Sequence, residues 1–318
     1  MGTKMKKSTI LFCILLTAIS VAISADDNSG FVPENSVVFV TVSRMRDDDG
    51  MKWLRQSWHD SPRESTLRDF FNKITYHAVS VAVLPSVPGG KPKVLLIAVV
   101  DNGADLNLNY MDNVISSETT SSVKSSKESG TELRYVDNPD PENDYGAYAV
   151  VGNSILFGAD KAVVEEALSG SPVAETPNFI QMTELLDVEN DGLLFADNRD
   201  TRFADFLNPL ESKWGLSLLL SSQDLAWMGS SFDVVDLNTV KGKIIFHTED
   251  DSAIFDVQDD AEFLGEAFRR KFIAENIEYS SEVQVEGTTV TLEFEIEGLK
   301  SLWLRLFEGG VLSIIQPN

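Results

Sequence analysis

Residues 145–170, YGAYAVVGNSILFGADKAVVEEALSG, constrain the fold more tightly than any other stretch of this chain. Ala147–Val151 and Ser154–Phe157 are two strand-forming runs separated only by Gly152 and Asn153. A glycine first in a two-residue loop supplies the positive φ of a type II′ turn, so the runs form an antiparallel hairpin. Asp160 stands where an N-cap belongs, and Val163, Val164, Ala167 and Leu168 make one helical face. Gly170 suits the C′ position of that helix.

Upstream, Phe31-Val-Pro-Glu-Asn-Ser introduces Val37–Val42, a continuous β-branched run read as a buried strand. Arg44–Gly50 is a charged turn before a helical piece with Trp53, Leu54 and Trp58. Ser61-Pro-Arg-Glu64 is a capping box with proline at the first helical position, and Leu67, Phe70, Phe71 and Ile74 give its apolar stripe. Val79–Leu84 and Val94–Val100 read as strands joined by a Pro- and Gly-rich loop, followed by a helix around Leu106–Ile115. Residues 116–130 are Ser-rich and polar and read as an exposed, mobile loop, Leu133–Val136 as a short strand and Asp137–Asp144 as an acidic loop.

Downstream, Thr176-Pro177 opens a helix carrying Ile180, Met182, Leu185 and Leu186, and Gly192–Ala196 is a strand. Phe203, Phe206, Leu207 and Leu210 recur at helical spacing, with Pro209 splitting a helix that runs to Leu220. Ala226–Val234 and Lys241–Thr248 read as strands, and Ala261–Glu275 as a helix capped by Asp260. Val283 and Val285, then Val290, Leu292, Phe294 and Ile296, alternate about Glu286-Gly287 as a hairpin. Leu299, Leu302, Trp303 and Leu306 make a last amphipathic helix.

The element order repeats, with residues 147–170 echoed by 281–309. The expected fold is therefore α+β, in two related halves, 31–170 and 176–318. Each half is expected to be a mostly antiparallel sheet with helices packed on it, in the order β-α-β-β-α-β-β-α.

Residues 1–25 differ from everything after them: Lys4, Lys6 and Lys7, an apolar run from Ile10 to Ile23, then small residues at Ser24 and Ala25. This is the pattern of a secretory signal peptide, so the protein is expected to be exported to the periplasm or outside the cell, with no membrane span in the mature chain. Cys13 lies within that run, which leaves the remainder without a cysteine and hence without disulfide or thiolate chemistry. The chain carries a net charge of −24, and losing three lysines takes the remainder to −27. Such a charge, with no basic patch, argues against nucleic acid and anionic membrane surfaces as partners.

The Phe31-Val-Pro-Glu-Asn-Ser opening, the AYAVVGNSILFGADKAVVEEAL segment and the whole-chain layout resemble a family of exported bacterial proteins of unknown function with duplicated α+β halves. The resemblance implies an extracytoplasmic location and supplies no catalytic residue.

No residue is singled out as catalytic, cofactor-binding or metal-ligating, and no cofactor is implied. His59, His77 and His247 are the only histidines, none is paired at ligand spacing, and no Gly-x-Ser-x-Gly elbow accompanies them. Asp187-Val-Glu-Asn-Asp-Gly192 begins like a calcium loop, but Asn198 occupies the position of the bidentate acid, so it reads as a helix-to-strand turn. The acidic clusters Asp47–Asp49, Asp137–Asp144 and Asp250-Asp251 read as solvated loops. The expected function is binding of a protein or envelope component. The alternatives are a hydrolase with scattered carboxylates and a small-ligand carrier with its site between the halves.

Overall fold

A computed structural model describes residues 29–43, 76–85, 93–100, 106–116, 122–137, 145–186, 191–206, 223–236, 238–274 and 276–299. The first strands are β1 (Val38–Ser43), β2 (Tyr76–Leu84) and β3 (Lys93–Val100), followed by α1 (Leu108–Ser116). Two hairpins come next, β4 (Val123–Glu128) with β5 (Thr131–Val136), and β6 (Ala147–Val151) with β7 (Ser154–Gly158). Helices α2 (Lys161–Ser169) and α3 (Pro177–Leu185) lead to β8 (Gly192–Asp197), β9 (Trp227–Val234) and β10 (Thr239–His247). The long helix α4 (Ile254–Ala274) precedes β11 (Glu278–Glu286) and β12 (Thr289–Glu297).

All these strands belong to one 12-stranded sheet in the order β11-β12-β10-β9-β8-β1-β2-β3-β7-β6-β5-β4, every neighbour antiparallel. This overturns the expectation of an α+β fold in two halves, each with its own helix-covered sheet. The junction explains why: β1 and β8 pair from Val38↔Ala196 to Val42↔Gly192. Val-Phe-Val-Thr-Val and Gly-Leu-Leu-Phe-Ala carry no charge on either face, and such strands cannot stand as exposed edges. Joining them removes two apolar edges at once. The strands from β1 to β7 form a first wing, and those from β8 to β12 a second.

Side chains alternate between the sheet faces. On one face Phe39, Leu95, Ile97, Ala149, Leu156 and Phe195 pack against Val163, Val164 and Ala167 of α2 and Phe179 and Met182 of α3. On the opposite face, Met111 and Ile115 of α1 cover Tyr148, Ile155 and Phe157 in the first wing. Val257, Ala261 and Leu264 of α4 cover Phe246, Val290 and Leu292 of the second.

Asp160 caps α2 by accepting from the Val163 N–H, and Thr176 caps α3 ahead of Pro177. Gly152 and Gly287 both have φ +58 at the first position of their two-residue turns, as type II′ hairpins require.

Several local expectations are corrected. Part of the expected mobile loop is β4, paired with β5 through Ser129-Gly130 at φ 48 and 84. Gly170 has φ −79, so it is no left-handed cap; a Cβ there would lie 2.6 Å from the Glu166 carbonyl oxygen, and close approach is what glycine permits. Helix α4 starts at Ile254, so Asp260 lies inside it and is buried, while Asp250 caps the preceding turn by accepting from the Ser252 N–H. Of the four apolar residues named for α3, Met182 and Leu186 are buried together with Phe179, while Ile180 and Leu185 are exposed. The expected helices at 61–74, 208–220 and 302–306 and the segment 1–25 lie outside the described residues.

Candidate functional site

The first candidate is a polar row under α3. Strand register places Asp197, Trp227, His247 and Thr289 side by side across β8, β9, β10 and β12. Asn178 and Gln181, three apart on α3, reach down to this row. Asn178 Nδ2 donates to Asp197 Oδ1 at 3.3 Å, and Gln181 Oε1 accepts from Trp227 Nε1 at 3.1 Å. That amide orientation points Gln181 Nε2 at His247 Nε2, 3.4 Å away, and leaves the imidazole proton on Nδ1, 3.1 Å from Thr289 Oγ1.

The His247 ring stacks on Trp227 at 5.1 Å between centroids and 21° between planes. Burial pushes its pKa below the usual histidine value, against a smaller opposing pull from Glu249. A general base needs a free nitrogen facing substrate. His247 is only 9% exposed and both its nitrogens are engaged, so its geometry is that of a packed, neutral histidine.

Beside it, Asp197 is fully buried and meets Arg199 Nε at 2.5 Å and Arg202 Nη1 at 3.7 Å. Arg199 also donates to the Glu34 carbonyl at 2.7 Å, which ties the end of β8 to the segment entering β1. Asp200 and Thr201 stand at φ 57 and 60, an unusual pair of left-handed non-glycine residues. Asn198 holds the turn together: its Nδ2 donates to the Leu225 carbonyl, and its Oδ1 accepts from the Phe203 and Ala204 N–H groups. A carboxylate already neutralised by two guanidinium groups is a structural clamp at the wing junction.

The second candidate is a surface. Ladder register puts Ser231, Lys243, Glu293 and Glu282 in one row and Asp233, Lys241, Glu295 and Ser280 in the next. These share a face with Trp227 and His247 but lie beyond α3, and they line an open concavity of about 650 Å³. Lys241 lies 2.8 Å from Glu295 and Lys243 3.5 Å from Glu293. Glu295 holds the Lys241 ammonium above its ordinary pKa. One strand further out, Glu282 stands opposite Glu293 and Glu278 opposite Glu297, a like-charge arrangement that costs stability.

No protein-family model, curated protein or solved structure matches the chain.

Of the residues weighed from sequence, His247 is buried as described, while His59 and the His77 side chain lie outside the described residues. Within the calcium-like stretch, the Asp191 carboxylate accepts from the Val234 N–H at 2.8 Å, as a turn residue does. Among the described residues no three His, Cys, Asp or Glu side chains are placed to hold a metal ion. Nor is any described helix long and apolar enough to cross a membrane. Sequence reasoning passed over Gln181, Trp227 and the lysine-glutamate rows. The signal for the rows was present in the charged phase of the 278–297 alternation.

Proposed function

We propose that the chain is an exported binding protein of the cell envelope, and that it docks its partner on the part of the second wing's face that lies beyond α3 and that no described helix covers. The observation that carries this reading is the row pair Lys243–Glu293 and Lys241–Glu295, solvated on an open sheet where the first wing carries a packed helix. A sheet face kept polar and open is compatible with docking by a protein surface. The carrier reading requires a groove between the halves, and that position is taken by the β1–β8 ladder. Export rests on the Lys-rich, then apolar, character of residues 1–25.

A photo-crosslinking group at Thr291, on the open face, tests the docking site against the same group at Asn113, exposed on α1. Adducts formed in the native envelope from position 291 alone, and lost in the Glu293→Lys, Glu295→Lys double variant, are expected. Adducts from both positions or from neither remove the surface. N-terminal sequencing of the protein recovered outside the cytoplasm is expected to begin near Asp26, and a retained Met1 overturns the signal peptide.

A further inference from the structure

We infer that β11 is an acceptor edge for strand addition, and that its partner is an extended protein segment carrying Lys or Arg at every fourth residue. The inference rests on the docking reading above and narrows it to one strand and one chemistry. Among the described strands β11 is the outermost of the sheet, nine residues long and paired only with β12. Every second residue therefore points its backbone N–H and C=O away from the sheet, the arrangement an added strand uses.

Side-chain pattern sets the partner's chemistry. Glu278, Glu282 and Glu286 lie on the uncovered face, four residues apart, with Ser280 and Gln284 between them. From the inner side the glutamates of β12 are neutralised by Lys241 and Lys243. On the face that carries Glu278, Glu282 and Glu286, β11 faces Glu293 and Glu297 with more negative charge, and Arg269 of α4 acts on the strand only from the opposite face, at Tyr279. Since a strand repeats its facing every two residues, basic groups at i, i+4 and i+8 of an added strand fall opposite the three glutamates.

The other face of β11 packs under α4, where Tyr279 meets Phe268 and Phe272 and only Val285 is exposed, so an added strand's alternate residues lie beside that apolar layer and are apolar or small. A second copy of this chain is a poorer occupant. Antiparallel pairing of β11 with itself centred on Glu282 or on Ser280 sets glutamate against glutamate. Pairing β4 against β11 with Lys124 opposite Glu282 places Glu128 opposite Glu278.

The test uses the full exported chain and a synthetic peptide, KVTVKVTVK, with two controls: EVTVEVTVE, and the lysine peptide N-methylated at alternate residues to block one backbone edge. Binding is read by fluorescence anisotropy and located by amide hydrogen exchange. The lysine peptide is expected to bind, to slow exchange in β11 and not in β4, and to bind on the order of tenfold more tightly than either control, as three cross-strand charge pairs would allow. The Glu278→Lys, Glu282→Lys, Glu286→Lys variant is expected to reverse the preference toward the glutamate peptide. Equal binding of the N-methylated peptide overturns strand addition, and equal binding of the glutamate peptide overturns the basic partner. Concentration-dependent self-association that protects β11 without peptide assigns the edge to a second copy and overturns the inference. If position 291 crosslinks while the lysine peptide fails, the docking face stands and the edge falls.

Discussion

Counting from their tight turns, the hairpins β6–β7 and β11–β12 can be compared residue by residue. Ala149 faces Leu156 in the first wing, and Gln284 faces Thr291 at the equivalent positions of the second. Two rungs along, Ala147 is matched by Glu282 and Gly158 by Glu293. The opposite phase agrees instead: Ile155 and Phe157 are matched by Val290 and Leu292, all buried. In each hairpin one face is built for a helix, but only β6–β7 has a second, under α2; in the second wing α3 covers this face over β8, β9 and the His247 end of β10, and β11–β12 lies beyond it. Where a second helix packs, the strand residues are apolar on both faces; where none of the described helices packs, one phase has become glutamate, threonine and lysine. The difference shows that the open face is written into the strands themselves, since the side chains there would be costly under a helix.

The largest expected effect follows from that contrast. Leu156→Ala removes a fully buried side chain from beneath α2 and is expected to cost about 2–5 kcal/mol, whereas Thr291→Ala at the equivalent position should stay within about 0.5 kcal/mol. Urea unfolding of the two variants measures both. Comparable losses would mean that the second wing's face is covered after all.

The same contrast explains what was legible in the sequence. Hairpins and two of the caps were readable because their causes are local: Gly152 needs its positive φ, and Asp160 and Thr176 cap helices within three residues of themselves, whereas the cap readings at Asp260 and Gly170 failed. The β1–β8 junction was not, since it pairs segments about 150 residues apart and depends on what both lack, namely any charge. β4, Val-Lys-Ser-Ser-Lys-Glu, has the composition of a disordered segment, and it is a strand because β5 offers a partner across Ser129-Gly130. The hairpin 278–297 was read for its apolar phase alone, which found the buried face and left the charged face unseen. The surroundings of His247 were not legible either: its partners Gln181 and Thr289 lie 66 and 42 residues away, and only the fold brings them together.

Acid is expected to act unequally on the wings. The folded-state pKa of His247 is depressed by burial, so below the unfolded value of about 6.5 the unfolded chain takes up the proton first. Its contribution is thus fully present above that pH and is lost as pH falls toward the folded pKa, with a slope of at most about 1.4 kcal/mol per pH unit. Hydrogen exchange should show β10 and β12 losing protection at pH 5.5 before β6 and β7, and His247→Gln should narrow that gap. A gap unchanged in the variant would assign the acid response to other groups.

The two turns offer a control in which the wings should agree. Gly152 and Gly287 share φ +58, and a Cβ at either meets nothing within 4 Å. Alanine is therefore penalised by backbone conformation alone, about 1 kcal/mol at each turn. Equal shifts in the unfolding midpoint support hairpins of one geometry under different covers. Unequal shifts would mean that the hairpins differ in more than the residues on one face.

The smallest effect is also the most informative about the open face. Glu282→Gln removes one of two directly opposed carboxylates, and the expected result is a slight rise in the unfolding midpoint at low salt that vanishes near 1 M salt, where screening acts over about 3 Å. A stabilising substitution at an exposed, hydrogen-bond-poor position implies that the wild-type residue is retained at a cost to the free protein. In the docking reading that cost is recovered when a basic group arrives outside β11, so the same substitution should weaken binding of the lysine peptide while it strengthens the fold. Opposite signs in the two measurements would connect the charge conflict to recognition. A variant that is both no more stable and no weaker in binding would leave Glu282 as a solvating residue of an edge strand.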